Sequence, residues 1–396
     1  NAKKTLTIEE IQAKRDVVAE ANTIHLNGTA KTSDGNLTLK AGSSLSVADH
    51  STLSALNGTL DLSAPKTTFG KALTLEAKKL GLTTSNDISL TDSSLTAGTD
   101  GLSLVSSEGS VSINGGALTS QNSINVSSAK DTTISRTAVS SEGNDAEAGV
   151  FLSSSEGAVK VSDGSINSNG SVKLSAVTDA QLTNVSVSAK GTGEGSGVEV
   201  NSSQGSVMID AGQLDSQSSI RLTSAAGTQV MGADLIAAGT GESEGLFINS
   251  NGGAVEVTSN TVSSGSVIDI ASQKDASLTV ESLNAAGKLD VESKEGSINV
   301  SSEANGNTGG LQAAAENGSV TLKGLNVDSS TDIDVLAKDS ISVTGGSLKN
   351  KDGSNLILVS KEGNLNLALN EKNLAADTIT LKGKGELNLT GLSLIH

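Results

Sequence analysis

Gly101-Leu-Ser-Leu-Val-Ser-Ser-Glu-Gly109-Ser-Val-Ser-Ile113 returns at a constant offset as Gly149 to Val161, Gly197 to Ile209 and Gly245 to Val257. Nine columns are apolar in all four copies. They are Leu102/Val150/Val198/Leu246, Leu104/Leu152/Val200/Ile248, Val111/Val159/Val207/Val255, Ile113/Val161/Ile209/Val257, Leu118/Ile166/Leu214/Val262, Ile124/Val172/Ile220/Ile268, Val126/Leu174/Leu222/Ile270, Ile134/Leu182/Val230/Leu278 and Val139/Val187/Leu235/Leu283. A fixed period of this kind marks a solenoid, in which each unit buries its inner face only against its neighbours.

The unit that runs from Gly101 to Gly149 is itself double. Leu102 and Leu104 are answered by Ile124 and Val126, and Ile113 and Leu118 are answered by Ile134 and Val139. One coil is therefore about 22 residues, within the range of known solenoid repeats. An irregularity agrees: the unit beginning at Lys288 is followed by the next at Gly310, a single coil on. Apolar and polar residues alternate over three or four positions, as in Leu102-Ser-Leu104 and Val111-Ser-Ile113, which is the period of a half-buried strand. Ser-Glu-Gly109, Ser-Glu-Gly157, Ser-Gln-Gly205, Asn-Gly-Gly253, Lys-Glu-Gly296, Glu-Asn-Gly318 and Lys-Glu-Gly363 separate these short strands. Glycine there predicts sharp corners with positive φ. The fold expected is all-β, a right-handed parallel β-helix, the hand following from the bias of parallel crossovers.

The rhythm extends beyond the four copies. Upstream, Leu37/Leu39, Leu60/Leu62, Leu80/Leu82 and Leu102/Leu104 recur at steps of 23, 20 and 22. Leu311, Val320/Leu322, Ile333/Val335, Ile341/Val343, Leu356/Leu358, Leu365/Leu367, Ile379/Leu381 and Leu387/Leu389 continue it downstream. Residues 22–396 are thus expected to be the β-helical repeat region, about 85 Å long at the spacing of neighbouring strands. Because the pattern is cut at Ser393 to His396, the chain reads as a fragment of a longer one. Residues 1–21 are expected to be irregular or briefly helical: Thr7 and Glu10 fit a capping box, and Ile8, Ile11 and Val18 form a partial helical stripe. The competing expectation is an irregular coil that uses Leu6/Ile8 and Ile24/Leu26.

Composition bounds the function. Three Phe with no Tyr and no Trp leave a narrow core of Val, Ile, Leu and Ala. A net charge of −17 disfavours nucleic acid and anionic membrane as partners. No cysteine supplies a disulfide or a thiolate, and no run is long and apolar enough to span a bilayer as a helix. His25, His50 and His396 stand isolated, and the carboxylates fall mainly at corners and loops. Catalysis needs a placed acid, base or nucleophile, and sugar cleavage a pair of carboxylates. No enzyme activity, catalytic residue, metal or cofactor is expected.

The acidic loops Glu142-Gly-Asn-Asp145-Ala-Glu147, Gly191-Thr-Gly-Glu194 and Gly239-Thr-Gly-Glu242-Ser-Glu244 recur at one phase. Glu142, Asp145, Glu147, Glu194, Glu242 and Glu244 are accordingly the candidate partner-contact residues. Oxygen-rich loops can bind calcium, but the nonapeptide calcium repeat is absent and solvated loops are the favoured reading. Asn-x-Ser/Thr triplets, for example at Asn125 and Asn201, follow from a composition rich in these residues.

The degenerate Ser/Thr/Asn/Gly-rich coils, such as Gly-Asn36-Leu-Thr-Leu-Lys-Ala-Gly42, Gly-Thr59-Leu-Asp-Leu-Ser and Gly-Ser297-Ile-Asn-Val-Ser-Ser, resemble filamentous-haemagglutinin-like exoproteins of bacterial two-partner secretion. Autotransporter passengers are similar. The resemblance covers nearly the whole chain, although the Asn-Pro motifs of the family's secretion domain are missing, Pro65 being the one proline. It implies a large extracellular adhesin, exported through an outer-membrane two-partner-secretion transporter and acting as a stalk at the bacterial cell surface or in biofilm matrix. Extracellular polysaccharide or a cell-surface receptor would be its partner. The stick of a contact-dependent growth inhibition toxin and, less favoured, a polysaccharide-degrading β-helix enzyme are the alternatives.

Overall fold

The computed structural model describes residues 4–144, 148–351, 353–369 and 373–391. They are all-β, with no helix, and form a parallel β-solenoid of about 17 turns with roughly 22 residues per turn. Contacts group the chain into two compact units, residues 1–191 with 196–203 and residues 192–195 with 204–396.

In the first unit each coil carries three strand segments, illustrated by Leu102–Ser106 and the two halves of Val111–Ser120. Each segment pairs in parallel with its counterpart one coil away. Leu102 faces Ile124, Ile124 faces Val150 and Val150 faces Val172. Val111 faces Thr132 and Leu118 faces Val139 on the other two faces. The uneven upstream steps are real registers: Leu37 pairs with Leu60, Leu60 with Leu80, and Leu80 with Leu102.

The second unit repeats the plan. Ile220, Leu246, Ile268, Leu289 and Leu311 form one inward ladder. Thr228, Val255, Ala276, Ile298 and Val320 line another. Lys288 pairs with Gly310, as the irregular single-coil step requires. In both units all four copies of the nine columns are buried, none more than 2% exposed. In the last described coil Ile379, Leu387 and Leu389 keep the register but are 42%, 47% and 37% exposed. Among the described residues only one side of that coil is covered, and coverage by neighbours is what buries a solenoid's inner face.

The opening segment departs from the helical expectation. Thr5–Ala13 is a strand, pairing in parallel with Val17–Thr32, which runs without a break across residues 21 and 22. Leu6 faces Ile24 and Ile8 faces Leu26, the pairs of the competing coil reading. The apparent helical stripe is two period-two pairs, Leu6/Ile8 and Ile11/Ala13, joined by a register shift between Ile8 and Glu10. Val18, placed on that stripe, is 64% exposed. A neighbouring strand that accepts the backbone hydrogen bonds outweighs a weak local propensity.

The corner glycines also correct the sequence expectation. Gly109, Gly157, Gly253, Gly296, Gly318 and Gly363 do not have positive φ. What they lack is room. A Cβ on Gly253 would lie 1.5 Å from the carbonyl oxygen of Ala226, and one on Gly157 would lie 2.4 Å from Oδ1 of Asp131. Beside all of these except Gly318, where Ala315 holds the place, a buried serine closes the turn: Gly109 N donates to Ser106 Oγ (3.1 Å), Gly157 N to Ser154 Oγ (2.8 Å) and Gly296 N to Ser293 Oγ (3.1 Å), with Gly253 and Gly363 alike. At three of these corners an aspartate from the coil before caps the next amide, and after Gly318 and Gly363 a serine does so. Ser110 N donates to Asp87 Oδ1 (2.7 Å), Ala158 N to Asp131 Oδ1 (2.9 Å) and Ser297 N to Asp275 Oδ1 (2.7 Å).

Left-handed backbone occurs at a different corner, between the second and third segments. His50, Ala72, Asp92, Arg136, Asp163, Asn184 and Ala211, with φ between 51° and 60°, all sit there. Asp and Asn tolerate this region better than most side chains, whereas Ala and Arg hold it at a cost.

Candidate functional site

The acidic loops occupy the third corner, where the third segment of a coil leads to the first segment of the next. Ser120 to Ile124 and Ser264 to Val267 cross it with very short turns. Longer stretches of sequence separate the strand ends Ser141 and Gly149, Ala189 and Gly197, and Ala237 and Gly245. Ladder steps show the consequence: Leu102 to Ile124 and Val150 to Val172 are short steps, while Ile124 to Val150 and Ile220 to Leu246 are longer ones. The repeat from Gly101 to Gly149 is therefore a short coil followed by a long coil, and the acidic turns supply the extra length.

The candidate residues divide by role. Glu194 and Glu242 are exposed on their turns. Glu142 is exposed as well; its amide donates to Ser120 O (2.9 Å), and its carbonyl accepts from Asn169 Nδ2 (3.2 Å). Glu142 lines an open groove of about 560 Å³ in the first unit, together with Asn57, Lys78, Thr99 and Gln121 among others. Lys78 meets Asp100 at 3.2 Å with both side chains about half exposed, a pairing that solvent screens. Asp145 and Glu147 lie outside the described residues.

Glu244 is a brace. Its Oε2 accepts from Gly241 N (2.8 Å) and its Oε1 from Gly193 N (3.1 Å). The Ser218 hydroxyl lies 3.2 Å from the same Oε1 and 2.9 Å from Gly193 O. These contacts tie Gly193 to the 238–244 turn through Ser218. The Gly241 amide, first among several donors, holds the carboxyl below its ordinary range, because hydrogen bonds to the charged form favour it.

No group of three or more His, Cys, Asp or Glu that could hold a metal ion forms among the described residues. His25 Nδ1 lies 2.5 Å from Ser46 Oγ one coil on, and His50 occupies a left-handed corner position. His396 lies outside the described residues.

Sequence reasoning missed an outward column on the first strand face of the second unit. Arg221, Phe247, Asp269, Asp290, Gln312 and Asp334 follow one another in register. The Arg221 guanidinium sits 4.0 Å from the Phe247 ring centre, a cation–π contact. The signal was present, since Phe151 and Phe247 occupy the same outward phase of two short coils in a chain with three Phe. A scan against family models and searches of curated proteins and of solved structures find no match to the chain.

Proposed function

We propose that this chain is a structural stalk segment of a large secreted or cell-surface bacterial adhesin of the filamentous-haemagglutinin-like, two-partner-secretion kind, of the biofilm-matrix type. Its work is attachment between cells, to matrix or to a surface, without enzymatic chemistry. An outer-membrane transporter would export it, and extracellular polysaccharide or a cell-surface receptor would be its ligand. One observation carries the reading: the repeat is devoted to inward ladders that extend coil by coil, as a spacer requires. Corner carboxylates such as Asp87, Asp131 and Asp275 cap backbone amides between coils, which gives those acidic groups a structural task.

The test displays the chain on a bacterial surface in three forms: intact, lacking residues 149–196, and carrying Glu142→Gln, Glu194→Gln and Glu242→Gln together. Cell aggregation and matrix retention are the readouts. The account expects the shortened form to attach less well, and the triple variant to lose attachment while keeping its β-sheet circular dichroism. Unchanged attachment in both would contradict it.

A further inference from the structure

The outward column of the second unit contains a carboxylate oxygen with no partner. Asp290 belongs to the strand Ala276–Ser293, and its side chain is 18% exposed. Its Oδ2 takes Lys288 Nζ at 2.6 Å, whereas its Oδ1 is buried and receives no hydrogen bond. Lys288 Nζ is also committed to Gln312 Oε1 at 3.0 Å. Directly in register one coil earlier stands Asp269, half-buried on the strand Val267–Ser272. Parallel neighbours are about 4.8 Å apart, so the two carboxyl groups are stacked.

An orphaned buried carboxylate oxygen loses its solvation without a compensating hydrogen bond, and two neighbouring anions repel. One proton removes both penalties. We propose that Asp269 is protonated in the folded protein and donates its carboxyl O–H to Oδ1 of Asp290, so that the pair holds one proton and one negative charge. Release of that proton as pH rises leaves Asp290 Oδ1 unsatisfied and loosens this stretch of the face.

The charged surroundings agree. Burial first, then the charges of Asp290 and Glu292, hold the Asp269 carboxyl above the ordinary aspartate range, against the opposing pull of Lys288 and Arg221. On the far side of Asp290 the column continues through Gln312 to Asp334, whose own carboxyl is raised by burial and by Asp332. A carboxyl raised in the folded state contributes stability that is fully present below its unfolded value of about 3.9 and is lost as pH rises through the folded value.

Asp269→Asn offers a permanent N–H donor to the same oxygen. Amide hydrogen exchange of residues 267–272 and 288–293, compared between the natural chain and Asp269→Asn at each pH from 4 to 8, cancels the intrinsic pH dependence of exchange. Protection of the natural chain is expected to fall relative to the variant as pH rises, by up to about tenfold per pH unit until Asp269 is fully ionised. Asp290→Asn, which reverses donor and acceptor, should flatten the dependence in the same way. Equal protection at every pH would overturn the proposal. So would weaker protection in both variants throughout, or failure of both to fold. Protection of the natural chain at pH 8 that is restored by added Ca²⁺ would assign the orphaned oxygen to a cation and overturn it equally.

Discussion

The corner after the first strand segment and the corner after the second place opposite demands on glycine. At the first, Gly157 and Gly253 have ordinary backbone angles but press against the coil before, so that any side chain collides with backbone or with a capping carboxylate. At the second, Gly232 has φ of +67° with nothing within 4 Å of its missing Cβ, and Arg136 and Ala211 adopt the same left-handed turn with side chains in place. Closeness between coils and dihedral freedom are therefore separate reasons for a glycine. In this molecule the recurring glycine motif marks closeness, while the left-handed corner shows no fixed residue type.

Substitutions separate the two. The largest effect is expected just beyond the tight corner at Val159, the first ladder residue after Gly157 and fully buried. Val159→Asp places an unpaired charge among apolar neighbours and should cost on the order of 4 kcal/mol. A urea midpoint equal to that of the natural chain would contradict the inward register. Next, Gly253→Ala should cost about 3 kcal/mol, since the Ala226 carbonyl must shift to admit a methyl group. At the left-handed corner the sign reverses: Ala211→Gly relieves a strained φ of 60° and should raise stability by about 1 kcal/mol. If both glycine–alanine exchanges moved the midpoint in the same direction, the distinction between the corners would fail.

The smallest effect belongs to the third corner. Glu244 has a depressed carboxyl pKa, so the stability it contributes is present at neutral pH and is lost as pH falls through its folded value, below about 4.3. Exchange protection of the Gly193 and Gly241 amides should drop in that acidic range while the ladder amides keep theirs. Glu244→Gln should remove the drop.

Much of the fold was legible because burial acts on every coil alike. The Leu37, Leu60, Leu80 and Leu102 steps are legible as registers, since the leading inward positions of that face are filled by Leu, Ile and Val, although Ser and Thr are buried elsewhere around the coil. The common phase of the acidic loops was legible too, and their longer turns account for the alternation of coil length. The reason for the corner glycines was not. It depends on contacts with residues a whole coil away, such as Ala226 beside Gly253, which no local pattern records. The strand at Thr5–Ala13 was masked by a short sequence in which helical and period-two spacings coincide. Glu244 looked like its neighbours Glu194 and Glu242, and only the converging Gly193 and Gly241 amides set it apart.

The alternation of a short coil with a long one is the claim on which the register, the corners and the protruding turns all rest. The chain has no cysteine, so introduced pairs report without interference. Ser103 and Asn125 are in register across a short coil, and Asn125 and Phe151 across a long one. Neighbouring strands about 4.8 Å apart fall within the Cα separation a disulfide accepts, and strands two coils apart do not. Under mild oxidation the Ser103→Cys/Asn125→Cys and Asn125→Cys/Phe151→Cys chains should each form an internal disulfide, while Ser103→Cys/Phe151→Cys should not. Closure of that last pair, or failure of both adjacent pairs, would contradict the stacked-coil account.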